Sequence, residues 1–229
     1  MAALLNLDDD VPGDIKQALQ DALQLSLDNV PTLIGKTAIV VDVSGSMSGS
    51  VNGGYGSNAS KIRYVDVAGL IASCILKKNP EAKLVCFDNR LHPMNPKSSN
   101  SVLENAKEIA SFNGGSTNCA LGMSWVADNM PDADNIIFIS DSEANEQITS
   151  TYSYSRTSSA YDQFLKCKNA KLLSIDIQPG LTLQLPKDDK KILHVSGFND
   201  QVFELMGYFF DKDAKTKQLV DLVNEVKIG

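Results

Sequence analysis

"TAIVVDVSGSMSGS", residues 37–50, holds the boundary on which the reading of this sequence turns. Its first half, "TAIVVDV" (37–43), is a continuous apolar run broken only by Asp42. A run that is apolar on both faces suits a central strand of a parallel sheet. Its second half places Ser44, Ser46, Ser48 and Ser50 within seven positions, with glycines between them. A hydroxyl-rich loop at a strand end can be a solvated turn, a nucleophile elbow or a metal site. The rest of the chain decides among them.

The run repeats downstream. "AKLVCFD" (82–88), "DNIIFISD" (134–141), "AKLLSIDI" (170–177) and the short "ILHVSG" (192–197) read as further strands, with "RLHPM" (90–94) as an edge strand. Between them stand helical patterns at 61–79, 101–112, 119–130 and 159–169, and two more at 199–210 and 214–227. Ahead of the first strand, residues 12–29 place Ile15, Leu19, Ala22, Leu23 and Leu27 on a helical stripe, with Asp14 as its N-cap. Strands alternating with helices predict an α/β fold: a doubly wound, mostly parallel open sheet flanked by helices, Rossmann-like. The expected organisation is an N-terminal helix and linker (1–32), the α/β domain (33–210) and a C-terminal helix (211–229).

Composition narrows the function. With 229 residues, 43% of them hydrophobic, the chain can bury a core without disulfides or structural metals. Its 28 acidic against 21 basic residues give a net charge of −7, which argues against nucleic-acid binding through a broad basic face. None of the four cysteines is spaced as CxxC, and there are only two histidines, so a Cys/His zinc site is not expected. The cysteines read as reduced thiols of an intracellular protein. The N-terminus lacks a basic region before its apolar residues, and no apolar run approaches a membrane span. The expectation is a cytoplasmic protein with no membrane partner and no nucleotide cofactor.

In doubly wound sheets ligands bind beyond the carboxyl ends of the strands, near the point where the strand order reverses. Asp42, Ser44 and Ser46 leave the first strand there, Thr117 precedes a helix in "NGGSTN" (113–118), and Asp141 ends the strand at 134–141. Two carboxylates and three hydroxyls from three separate loops, with no base beside them, suit a hard cation such as Mg²⁺ or Mn²⁺. Gly45 relieves the backbone within D-V-S-G-S.

This set, D-V-S-G-S (42–46), Thr117 in G-G-S-T and Asp141 in I-S-D, resembles the metal-ion-dependent adhesion site of von Willebrand factor A domains. The resemblance implies that Ser44, Ser46 and Thr117 bind the metal directly, that Asp42 and Asp141 act mostly through water, and that one position is left for a partner's carboxylate. Glu143 and Asp88 are candidates for acids in the shell beyond. "FDNRLHP" (87–93), "NAKEIASFNGGSTNCALGMSW" (105–125), "IFISDSEA" (137–144) and "HVSGFNDQVFELM" (194–206) look like the A domain of the Ro ribonucleoprotein (TROVE) family, bacterial type, over about residues 12–210. In that family a ring of HEAT-like repeats precedes the A domain and carries most of the binding to small non-coding RNAs. Only residues 1–32 precede the first strand here, enough for one helix, so the expectation is an A domain without the ring, either excised from a longer protein or free-standing. The expected function is therefore a non-enzymatic, cation-dependent binding module for a protein partner that supplies an Asp or Glu carboxylate. RNA binding or RNA quality control is the alternative.

Two rival chemistries fit less well. "GSMSG" (45–49) matches the G-x-S-x-G elbow with Ser48 as nucleophile, and Asp141 and His194 follow in hydrolase order. That motif needs a helix starting at the serine, where this sequence continues as a Gly/Asn-rich loop. Cys119 sits at a helix start, where thiolate is favoured, but no histidine stands beside it in sequence.

Overall fold

A computed structural model describes residues 21, 27–51, 62–92, 97, 99–112, 114–141, 159–178, 185–199 and 201–211. Six strands form one sheet: β1 (Thr37–Asp42), β2 (Lys83–Phe87), β3 (Leu91–His92), β4 (Asn135–Ser140), β5 (Lys171–Asp176) and β6 (Ile192–Ser196). Their order is β3-β2-β1-β4-β5-β6. All neighbours are parallel except β3, which turns back antiparallel on β2 at one edge. The doubly wound, mostly parallel sheet expected from the alternation is the sheet observed. Its order reverses at β1, which sits between β2 and β4.

Five helices are described: α1 (Tyr64–Lys78), α2 (Val102–Ser111), α3 (Cys119–Asn129), α4 (Ala160–Phe164) and α5 (Gln201–Phe210). Period-2 alternation along β1 sends Ile39 and Val41 to the core shared with α1, α2 and α5, and Ala38 and Val40 to the core shared with α3 and α4. The apolar run at 37–43 is thus explained: all six residues of β1 are buried, because both faces are covered.

Local chemistry sets the helix starts. The Ser101 hydroxyl accepts from Glu104 N while the Glu104 carboxylate accepts from Ser101 N, and Ser159 and Asp162 do the same for α4. At α1 the Asp66 carboxylate accepts from Arg63 N at 2.8 Å and pairs with the Arg63 guanidinium at 2.7 Å. The same guanidinium donates to Ala110 O, tying α1 to α2. Gly69 lets those helices close up, since a Cβ there would lie 2.9 Å from Ala106 O.

Two expectations change. The helix expected over 159–169 stops at Phe164, and successive i→i−3 bonds carry the chain on to Ala170. Phe164, Cys167 and Ala170 are all buried at a spacing of three, which tight turns of this kind keep on one side where an α-helix would rotate them away. Of the helix expected over 12–29, Leu27–Asn29 is a 3₁₀ turn with Leu27 buried, and Asp21 is helical. The rest of that helix, the helix expected at 214–227 and the loop at 145–158 lie outside the described residues. All four cysteines are free: Cys74, Cys86 and Cys167 are buried and Cys119 is half-buried. Among the described residues no helix is long and apolar enough to cross a membrane.

Candidate metal centre

Asp42 is the last residue of β1, level with Phe87 of β2. The β1–β4 register matches Val41 with Ile139, so the next residue on each strand, Asp42 and Ser140, face each other at the reversal of the strand order. The Asp42 carboxylate accepts from Ser140 Oγ at 2.8 Å through Oδ2 and from Ser44 N at 2.9 Å through Oδ1. The second bond folds the chain back just past the strand. Ser44 is still extended (φ −65°, ψ 171°), and residues 45–48 then form a 3₁₀ turn anchored by the buried Met47. The turn brings Ser44 Oγ and Ser46 Oγ to 3.2 Å.

The G-G-S-T loop is joined to this turn through backbone. Gly45 N donates to Gly115 O at 3.0 Å, and Gly114 N reaches Val43 O at 3.4 Å. Gly115 has φ +79°, and a Cβ there would lie 2.9 Å from Asp88 Oδ2, so the position requires glycine on two counts. From the other side Asn118 N donates to Asp88 O at 3.0 Å. Thr117 is thereby held between two anchored residues and is 2% exposed. Its Oγ1 is buried with no hydrogen-bond partner among the described residues. Asp141, 1% exposed, leaves the end of β4 beside Ser140.

The electrostatics are unfavourable for an anion. Burial pushes the Asp42 carboxyl up to about 6; hydrogen bonds from Ser44 and Ser140 oppose this, and the charge of Asp141 adds to it. None of the groups acting on Asp42 is a cation. A buried hydroxyl without a partner and two neighbouring buried carboxylates each cost free energy that a bound cation would offset. Among the described residues no three His, Cys, Asp or Glu side chains cluster as a ligand set. The available donors are hydroxyls and two carboxylates, all hard oxygens, and they fit Mg²⁺ or Mn²⁺ better than a thiophilic metal.

The family profile described as the Ro60 vWA domain matches residues 36–210. The chain belongs to that family. No curated protein matches it. Among solved structures, the Ro (RSR) protein of Deinococcus radiodurans is similar to this vWA domain with a TM-score of 0.62 and 18% identity, over 86% of this chain and 38% of that one. This chain therefore spans little more than a third of the Deinococcus protein, and at that identity the likeness shows the fold. The PilB minor pilin of Streptococcus sanguinis gives a TM-score of 0.43 and 14% identity, over 84% of this chain and 61% of that one.

Within this vWA domain Asp42, Ser44, Ser46, Thr117 and Asp141 lie at the carboxyl end of the sheet, where the Asp42–Ser140 and Gly45–Gly115 bonds join their segments. Asp88 takes a different place. Its carboxylate accepts from Arg90 N at 2.8 Å and lies 3.0 Å from His92 Nε2, so the side chain is engaged in its own β2–β3 turn. It supports Thr117 through its carbonyl, by way of Asn118. Glu143 lies outside the described residues. Sequence reasoning missed Ser140, whose one signal is a polar residue closing the apolar run "NIIFIS". The Ser48 elbow does not form. The 3₁₀ turn leads into no helix at Ser48, which is exposed, and His194 belongs to β6, three strand spacings from β1 or roughly 14 Å. His194 Nε2 lies 3.3 Å from Pro186 O.

Proposed function

We propose that this vWA domain is a non-enzymatic, divalent-cation-dependent binding module. Ser44, Ser46 and Thr117 would hold Mg²⁺ or Mn²⁺ directly, and Asp42 and Asp141 would act through water. The cation would supply a Lewis-acidic position for a carboxylate from a protein partner. Ser140 and Ser44 N orient Asp42, and the Gly45–Gly115 bond keeps the first two loops in register. The observation that carries this reading is the Thr117 hydroxyl, buried without a partner among the described residues in a loop bonded to the D-V-S-G-S turn. Protein interiors rarely leave such a group unmatched unless something else satisfies it.

Calorimetric titration of wild type and Asp42→Ala with MgCl₂ and MnCl₂ tests the reading. Saturable heat in the wild type that is lost in the variant supports it. No heat from either cation at millimolar concentration would end it.

A further inference from the structure

Next to the candidate metal centre lies a cleft of about 600 Å³ that the metal reading does not use. One wall is the β2–β3 turn, with Asp88, Arg90 and His92; the other is the end of α2 and the glycine loop, with Phe112, Gly114 and Gly115. Gly114 and Gly115 also bond to Val43 and Gly45, so the cleft and the candidate metal centre share a wall.

Its chemistry is distinct from that of its neighbour. The Asp88 carboxylate accepts from Arg90 N inside the cleft, with the His92 imidazole 3.0 Å away. His92 is 7% exposed, its ring centroid is 4.7 Å from that of Phe112, and its Nε2 lies near Asp88 Oδ2 without the alignment of a hydrogen bond. Arg90 is different. It is exposed, and no carboxylate lies within ion-pairing distance of its guanidinium among the described residues. In a chain of net charge −7 it places on the lining of a polar cleft a cation with no ion-pair partner among the described residues. Guanidinium binds carboxylates through two parallel hydrogen bonds, which gives direction as well as charge.

We infer that the cleft is a second recognition site for an acidic peptide: while one partner carboxylate engages the metal centre, another residue of the same segment pairs with Arg90. The inference rests on the proposed metal reading for the first of those carboxylates. The shared glycine wall makes the two sites neighbours, so a single segment can occupy both and gains from the effective concentration of the second contact. At this position the Arg90 guanidinium favours an acidic side chain over a basic one.

The test uses the whole chain with MgCl₂ and the peptides Ac-Asp-Gly-Asp-NH₂ and its homologues with two, three and four glycines, against Ac-Asp-Gly-Gly-NH₂. At one spacer length the two-aspartate peptide should bind about tenfold more tightly than the one-aspartate peptide. Arg90→Ala should lose that gain and Arg90→Lys should restore part of it, while Mg²⁺ titrates both variants as it does wild type. The inference is overturned if no spacer gives a gain, if the gain survives Arg90→Ala, or if octauridylate displaces the peptide in an Arg90-dependent way. Absence of Mg²⁺ heat in the wild type would sink the metal reading separately. The cleft is then judged in chelator: binding of the one-aspartate peptide that depends on Arg90 supports it, and binding indifferent to Arg90 rejects it.

Discussion

The two ends of the sheet bury polar side chains in opposite ways. At the amino end Asn135 donates to Ile34 O at 3.0 Å and to Thr37 Oγ1 at 3.1 Å. Asn79 donates to Pro31 O and Ile75 O and accepts from Leu33 N at 2.7 Å. These groups are matched, and they staple the segment before β1 to the base of the sheet. At the carboxyl end Thr117 Oγ1 is buried and unmatched among the described residues, and Asp42 is held where burial disfavours its charge. Both ends spend polar groups in the interior. The matched end contributes stability, while at the carboxyl end the Thr117 hydroxyl and the buried Asp42 charge cost stability.

The contrast can be broken in four ways. The largest effect is expected for Asp42→Ala, which removes the acceptor of Ser44 N and Ser140 Oγ. Affinity for Mg²⁺ should fall by about 100-fold, the upper range for residues that orient metal ligands, as read by calorimetry. An equal affinity in the variant would make Asp42 an ordinary buried acid.

The second way is pH. The folded-state pKa of Asp42 is raised from 3.8 to about 6, so the metal-free fold prefers the protonated form. Its stability is fullest below about pH 4 and is lost as pH rises towards about 6, by on the order of 2–3 kcal/mol from this group. Asp42→Asn keeps the shape without the charge, and the Ser140 hydroxyl can turn to accept from its amide. In chelator, urea unfolding should find the variant equal to wild type near pH 4 and more stable above pH 6. A wild type that keeps pace with the variant across this range would show that the carboxylate is not disfavoured. Adding Mg²⁺ should stabilise wild type more at pH 8 than at pH 5.

Third, Asn135→Ala at the matched end should cost about 2 kcal/mol by denaturant unfolding, because it leaves Ile34 O and Thr37 Oγ1 without their donor. Mg²⁺ affinity should not change, and a parallel loss of both would erase the distinction between the two ends. The smallest effect on stability belongs to Thr117→Val. Removing a buried hydroxyl that has no partner among the described residues should raise metal-free stability by about 1 kcal/mol, yet weaken Mg²⁺ by about tenfold. Unfolding curves and calorimetry on one preparation separate the two effects.

What the sequence by itself determined was the local grammar. Runs such as "IIFI" (136–139) and "IVV" (39–41) are apolar on both faces, and only a sheet covered on both sides buries them, so the fold class was legible. The placement of the candidate residues was legible as well, because ligands of doubly wound sheets bind beyond the carboxyl ends of strands: Asp42 ends β1, Asp141 follows β4, and Thr117 lies in the loop ahead of the helix at Cys119. Tertiary structure alone decided which groups complete that site. The Ser140–Asp42 bond joins residues 98 positions apart and depends on the β1–β4 register. The sequence offers Asp88 as an acid of the outer shell, and only the folded β2–β3 turn shows its carboxylate accepting from Arg90 N while its carbonyl holds Asn118. Periodicity along the chain reports which residues are buried. It carries no information on which strand lies beside which, so the matching of polar groups across the sheet, and the cleft between a turn and a glycine loop, exist only once the strands are paired.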